Sequence, residues 1–193
     1  MLTGWYQTLF MLLAILPFYV TDTYFHHRYD PQRPSGKSGR SWLIVGISLV
    51  ISAFLLLQPI FWPGLSWYTS AAWGLAIQII GVMSLLAAAA LNLWARINLG
   101  EFYVQRSEVQ ENHRLINTGP YAYVRHPLFT AYFLIIIGVF LTNPAWHTLL
   151  VLIGGYFYIT NLARKDEAVL RQELPEYEAY MATTPRFLPS LHG

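Results

Sequence analysis

Acids, guanidiniums, an imidazole and clustered phenols concentrate in two segments of this chain, Glu101–Phe129 and Tyr158–Leu188. In the first, Asn117-Thr118-Gly119-Pro120 is a turn signal, followed by Tyr121, Tyr123 and then Arg125-His126-Pro127 at the head of an apolar run. Proline suits a first helical turn, where its missing N–H costs little, so Arg125 and His126 stand at a helix entrance. The second segment supplies Arg164-Lys165-Asp166-Glu167, Tyr177-Glu178-Ala179-Tyr180 and Thr184-Pro185-Arg186. An acid such as Glu167 and a ring face such as Tyr121 are groups that hold a cationic ligand, and Arg164 or Arg186 can grip a carboxylate. Singly, each has a plainer use. The arginines can anchor to lipid phosphate, His126 can cap or pack, and the tyrosines can sit at an interface. Asp166-Glu167 can begin a solvated helix with paired neighbours. Order and spacing, rather than any one residue, point to a site.

The elements that position these segments are apolar helices. Hydrophobic residues make up 55% of the chain and charged ones 11%, outside the range of ordinary soluble domains. Charges fall in three blocks, Asp22–Arg40, Arg96–Arg125 and Arg164–Arg186, separated by charge-free stretches long enough to span a bilayer. Breakers at Pro59, Pro63-Gly64 and Asn143-Pro144 divide these stretches into five expected spans: Thr3–Phe25, Ser41–Trp62, Thr69–Trp94, Leu128–Thr142 and Trp146–Ala163. Pro17 should kink the first, and Trp5, Trp42, Trp62, Trp67, Trp94 and Trp146 fall near span ends, as an interfacial belt requires. The first segment lacks a basic n-region and a small-residue cleavage site, so it reads as a retained span rather than a signal peptide.

Five spans place all 12 Lys and Arg residues on one face. The positive-inside rule then sets the N-terminus outside and the C-terminal tail in the cytoplasm. The expected class is therefore an all-α, multi-pass integral protein of the cell membrane, with about five transmembrane helices and a cytoplasmic helical tail. No ionisable residue except His147, beside the outer turn, is expected inside a span, which argues against a proton-coupled transporter or ion channel. A net charge of +2 without a reading pattern argues against nucleic acid. The absence of cysteine removes a thiol nucleophile and a thiolate metal site, and no metal is expected.

From Phe102 to Pro189 the chain resembles the isoprenylcysteine carboxyl methyltransferases. The likeness rests on Thr118-Gly119-Pro120-Tyr121, Arg125-His126-Pro127, a hairpin broken at Asn143-Pro144, the acidic helix with Glu167, Tyr177-Glu178-Ala179-Tyr180, and Thr184-Pro185-Arg186-Phe187-Leu188-Pro189. The resemblance implies one membrane-embedded domain over residues 1–193, with three N-terminal spans in 1–95 and a cofactor-binding half in 96–193. It implies methyl transfer from S-adenosylmethionine, releasing S-adenosylhomocysteine, to a lipophilic prenylated acceptor that enters from the bilayer. Cofactor contacts carry over to Gln105, His113, Leu115, Ile116, Tyr121, His126, Pro127 and Glu167. Two departures stand out: Phe129 replaces a usual tyrosine, and Leu174-Pro175 replaces a usual Phe-Gly with one residue deleted. The choice between Asp166 and Glu167 favours Glu167.

The chemistry is consistent with the resemblance. A carboxylate acceptor is already ionised at neutral pH and needs no general base, so alignment of sulfur, methyl and oxygen is the main task, and proximity can supply about 7–11 kcal/mol. No glycine-rich fingerprint follows a strand. A phospholipid N-methyltransferase would need a base such as His126. A sterol-reductase-like enzyme would need a phosphate clamp, where only scattered arginines occur. A non-enzymatic scaffold would tolerate alanine at Tyr121, His126 and Glu167. Small residues at Gly74, Gly81, Ala87–Ala90, Gly138, Gly154 and Gly155 suit close helix packing or, for a minority, a groove for the prenyl tail.

Overall fold

The structure, a computed structural model, describes residues 1–29, 39–67, 71–100 and 115–189, without the side chains of 26, 27, 29 and 39–49. Six α-helices occur among them: α1 (Trp5–Tyr29), α2 (Gly39–Phe61), α3 (Ala72–Leu99), α4 (Pro127–Thr142), α5 (Trp146–Glu173) and α6 (Tyr177–Thr183). Single 3₁₀ turns lie at Pro63–Leu65 and Gly119–Ala122. No strand occurs among the described residues, although Ser66 and Ala145 form an isolated antiparallel bridge. Trp5–Phe25 and Ala72–Leu99 are long and apolar enough to cross a membrane. α4 has 16 residues, about 24 Å at 1.5 Å per residue, less than the roughly 30 Å of a hydrocarbon core.

The helices alternate in direction, as two sets of polar contacts demonstrate. At one end, amides and hydroxyls close the bundle. Gln7 Nε2 donates to the Thr142 carbonyl at 2.7 Å, Gln78 Nε2 to the same carbonyl at 3.1 Å, and Asn143 Nδ2 to Gln58 Oε1 at 2.6 Å. Ser66 Oγ donates to Asn143 Oδ1 at 2.6 Å, and the Trp67 N–H to the Pro144 carbonyl at 2.7 Å. These partners bring together the beginnings of α1, α3 and α5 with the ends of α2 and α4. Thr148 secures the sharp turn by accepting the Ala145 N–H at 3.1 Å and donating to the Asn143 carbonyl at 2.8 Å. At the opposite end, Asp22 on α1 pairs with buried Arg96 on α3, and Arg96 Nε donates to Asn92 Oδ1 at 2.9 Å. Both residues of that ion pair lie inside helices, and Asp22 falls within the expected first span, so the expectation of no ionisable residue but His147 in a span does not hold.

Glycines set the closest helix approach. A Cβ on Gly81 would lie 2.6 Å from the Thr142 backbone nitrogen and 2.9 Å from the Gly138 carbonyl oxygen. One on Gly138 would lie 2.7 Å from Leu85 Cγ. The α3–α4 contact thus depends on bare backbone at both positions. Gly154 meets nothing within 4 Å, so close packing does not account for it. Met11, Ala14, Leu85 and Val139 form one buried cluster, and Phe18, Ala89 and Ala131 another.

The expected spans match the five long helices, with changes at their ends. α3 continues past Trp94 to Leu99, and the fifth span and the acidic tail helix are one element, α5. No proline or glycine interrupts the chain between Gly155 and Leu174. The appearance of charge at Arg164 therefore leaves the helix intact until Pro175 ends it.

Candidate functional site

The site forms where the approach to α4 meets the chain's tail. Gly119 adopts φ 59° beside α3, a left-handed conformation that favours glycine, and a Cβ there would come within 2.3 Å of the Asn98 side chain. The following turn returns the Val124 N–H to the Pro120 carbonyl at 3.1 Å. Pro127 opens α4 with His126 as its N-cap. The tail then runs along this strip. The Arg125 N–H donates to the Pro185 carbonyl at 2.9 Å and the His126 N–H to the Arg186 carbonyl at 3.1 Å. Thr130 Oγ1 donates to the Phe187 carbonyl at 2.9 Å, and the Tyr180 hydroxyl to the Tyr121 carbonyl at 2.5 Å.

At the centre is Glu167, 4% exposed on α5. Arg125 donates to its Oε1 through Nε at 3.1 Å and Nη2 at 2.8 Å. Arg186 reaches Oε1 through Nε at 2.9 Å and Oε2 through Nη2 at 2.5 Å. His126 Nε2 lies 3.2 Å from Oε1. Burial alone would raise the Glu167 pKa, but hydrogen bonds with His126, Arg186 and Arg125 outweigh it and hold the carboxyl well below its ordinary range. The remaining Arg125 nitrogen, Nη1, donates to the carbonyls of Met181 at 3.0 Å and Thr184 at 2.5 Å. One guanidinium thereby joins α5, α6 and the tail. Two guanidiniums against one carboxylate leave this cluster with a positive surplus.

The structure brings Tyr121, His126, Pro127, Glu167 and Arg186 into one region. Glu167, rather than Asp166, occupies the centre. Leu115 packs against the cluster of Leu174, Tyr177 and Tyr180, and Ile116 is half-buried nearby in sequence. Arg164 is exposed, three residues before Glu167 on α5, and makes no ion pair among the described residues. Gln105 and His113 lie outside the described residues. Phe129 stacks on the His126 ring with centroids 5.3 Å apart. Phe187 and Phe133 continue the aromatic wall from His126, with centroid separations of 6.1 and 4.9 Å.

Two residues exceed what the sequence suggested. Arg125 is not a lipid anchor: its side chain is 8% exposed and turned into the protein. Tyr177 is 2% exposed beneath the Glu167 cluster rather than at an interface. Glu167 on α5 was the available signal for Arg125, because a buried carboxylate requires cationic partners.

The described residues thus form a helical bundle around a buried carboxylate–guanidinium cluster, and sequence comparison shows what the chain is similar to. Residues 79–171 match the Isoprenylcysteine carboxyl methyltransferase (ICMT) family. The protein-S-isoprenylcysteine O-methyltransferase of Mus musculus is 30% identical over 140 residues, covering 71% of this chain and 48% of its own length. The Homo sapiens protein of that name is 27% identical over 141 residues, with the same coverage of 71% and 48%. The nickel-cobalt-cadmium resistance protein NccN of Alcaligenes xylosoxydans xylosoxydans is 25% identical over 148 residues, 76% of this chain and 65% of its own length. The chain thus spans about half the length of the mammalian relatives it matches.

Proposed function

We propose that this chain transfers a methyl group from S-adenosylmethionine to the carboxylate of a lipophilic acceptor of the prenylcysteine type. The observation that carries this reading is the Glu167 cluster, which joins the family motif Arg125-His126-Pro127 to α5 and to Arg186 of the tail. The residues present suit the cofactor. Its methionyl end bears a carboxylate, which the positive surplus of Arg125 and Arg186 over Glu167 favours. The buried Tyr177 hydroxyl beside the cluster lacks a partner among the described residues. Gln105, His113, Leu115, Ile116, Tyr121, His126 and Pro127 are the proposed remaining lining.

When bound, the cofactor supplies an electrophilic methyl on a sulfonium sulfur. The protein's part is to bind, orient and exclude water. The sequence offered Glu167 as a direct partner for the cofactor's cationic end. With both oxygens engaged by Arg125 and Arg186, its main proposed task is to fix those guanidiniums. Arg164, exposed one turn away on α5, is the proposed grip for the acceptor carboxylate. The wall of Phe129, Phe133 and Phe187 beside His126 is an apolar border for the acceptor's chain. Holding acceptor oxygen and methyl in line supplies the acceleration, about 7–11 kcal/mol at most.

In this reading α1 to α5 cross the cell membrane, and the N-terminus is outside. The end carrying Asp22, Arg96, Arg125 and Glu167 faces the cytoplasm, in keeping with the placement of every Lys and Arg in the three charged blocks. Calorimetric binding of S-adenosylhomocysteine to detergent-purified protein tests the assignment. The wild type should bind and Glu167→Gln should lose most of that affinity. Folded wild type that binds none would refute the reading.

A further inference from the structure

Tyr177 opens α6 with its ring packed among Leu115, Leu174 and Tyr180. The two tyrosine rings lie 5.8 Å apart, yet their hydroxyls differ in kind. Tyr180 donates to the Tyr121 carbonyl at 2.5 Å, whereas the Tyr177 hydroxyl is buried and has no hydrogen-bond partner among the described residues. An unpaired buried hydroxyl opposes folding, and each such group calls for a reason. Here the reason lies in its neighbourhood. Tyr177 is within electrostatic reach of Glu167, Arg125 and Asp166, beside a cluster in which Arg125 and Arg186 share the Glu167 carboxylate. Burial foremost, reinforced by the Glu167 charge, pushes its phenol far above the ordinary range and keeps it a donor. A buried phenol that stays protonated can only be satisfied by an acceptor, and a carboxylate is the strongest acceptor a ligand can bring.

We propose that Tyr177 is a further cofactor-binding residue, whose hydroxyl donates to the methionyl carboxylate of the S-adenosyl ligand. The inference rests on the methyltransferase reading above and adds to it a residue and a ligand atom.

Calorimetry with two ligands separates the possibilities: S-adenosylhomocysteine, and 5′-methylthioadenosine, which has the nucleoside and thioether but no amino-acid end. Tyr177→Phe should bind S-adenosylhomocysteine about tenfold more weakly, the scale of one hydrogen bond to a charged group, with 5′-methylthioadenosine affinity unchanged. The ligand-free variant should melt no lower than wild type, because a costly hydroxyl has gone. Tyr180→Phe, which removes a satisfied structural bond, should instead lower the melting temperature without ligand. Unchanged S-adenosylhomocysteine affinity in Tyr177→Phe would overturn the proposal. So would equal weakening for both ligands, or a ligand-free variant that unfolds earlier. If wild type binds neither ligand, the methyltransferase reading itself fails, a result distinct from each of these.

Discussion

Replacing Arg125 by alanine should release the tail from the bundle without melting the bundle. The wild-type side chain makes two bonds to Glu167, at 3.1 and 2.8 Å, and two to the carbonyls of Met181 and Thr184, at 3.0 and 2.5 Å. Removing one member of a buried ion pair costs about 3–5 kcal/mol. Glu167 keeps Arg186 and His126 in the variant, so the lower figure applies, about 3 kcal/mol. That is roughly a hundredfold change in the ratio of docked to undocked tail. Amide hydrogen exchange reads it directly. Amides of α6, of Thr184 and of His126 should exchange about a hundredfold faster, while those at the α3–α4 contact keep their wild-type rates. Arg125→Lys, a point charge without the planar fork, should recover part of the protection and not all of it. Unchanged α6 exchange in Arg125→Ala would refute the bridging role, and uniform loss throughout the bundle would show that Arg125 supports the whole fold.

Other perturbations probe other links. Glu167 is held well below its ordinary pKa of 4.5, so its pairing stabilises fully above that pH and is lost as pH falls below it. A denaturation series should show this acid-side decline in wild type and a flatter one in Glu167→Gln. Gly81→Ala should destabilise by about 1–3 kcal/mol through overpacking, because its Cβ meets α4 backbone, whereas Gly154→Ala should be neutral in the same unfolding assay. Arg164→Gln should raise the acceptor KM while leaving S-adenosylhomocysteine affinity unchanged, since Arg164 stands outside the Glu167 cluster; a matching loss of cofactor affinity would place it in the cofactor site instead.

Much of the architecture was legible because breakers and charges act locally. Asn143-Pro144 forms the α4–α5 turn, Pro63-Gly64 falls at the end of α2, and Pro127 opens α4. The continuity of α5 was less visible. The sequence ends the expected fifth span at Ala163, where charge begins, but leaving an apolar stretch imposes no need to end a helix. The site residues were legible as motifs, and their partnerships were not. Arg125 and Glu167 are 42 residues apart, and Asp22 and Arg96 are 74 apart. No local pattern specifies which cation neutralises which buried acid. The orphan hydroxyl of Tyr177 was equally hidden, because Tyr177 and Tyr180 are identical in type and differ only in what surrounds them.

The most direct test of the central claim is transfer of labelled methyl from S-adenosylmethionine to a farnesylated cysteine derivative by the purified chain in lipid. An ethanolamine phospholipid would be offered in parallel. The account predicts a base-labile methyl ester on the farnesylated acceptor, and loss of that product in Glu167→Gln. Methylation of the ethanolamine amine alone, or no transfer by folded protein to either acceptor, would contradict it.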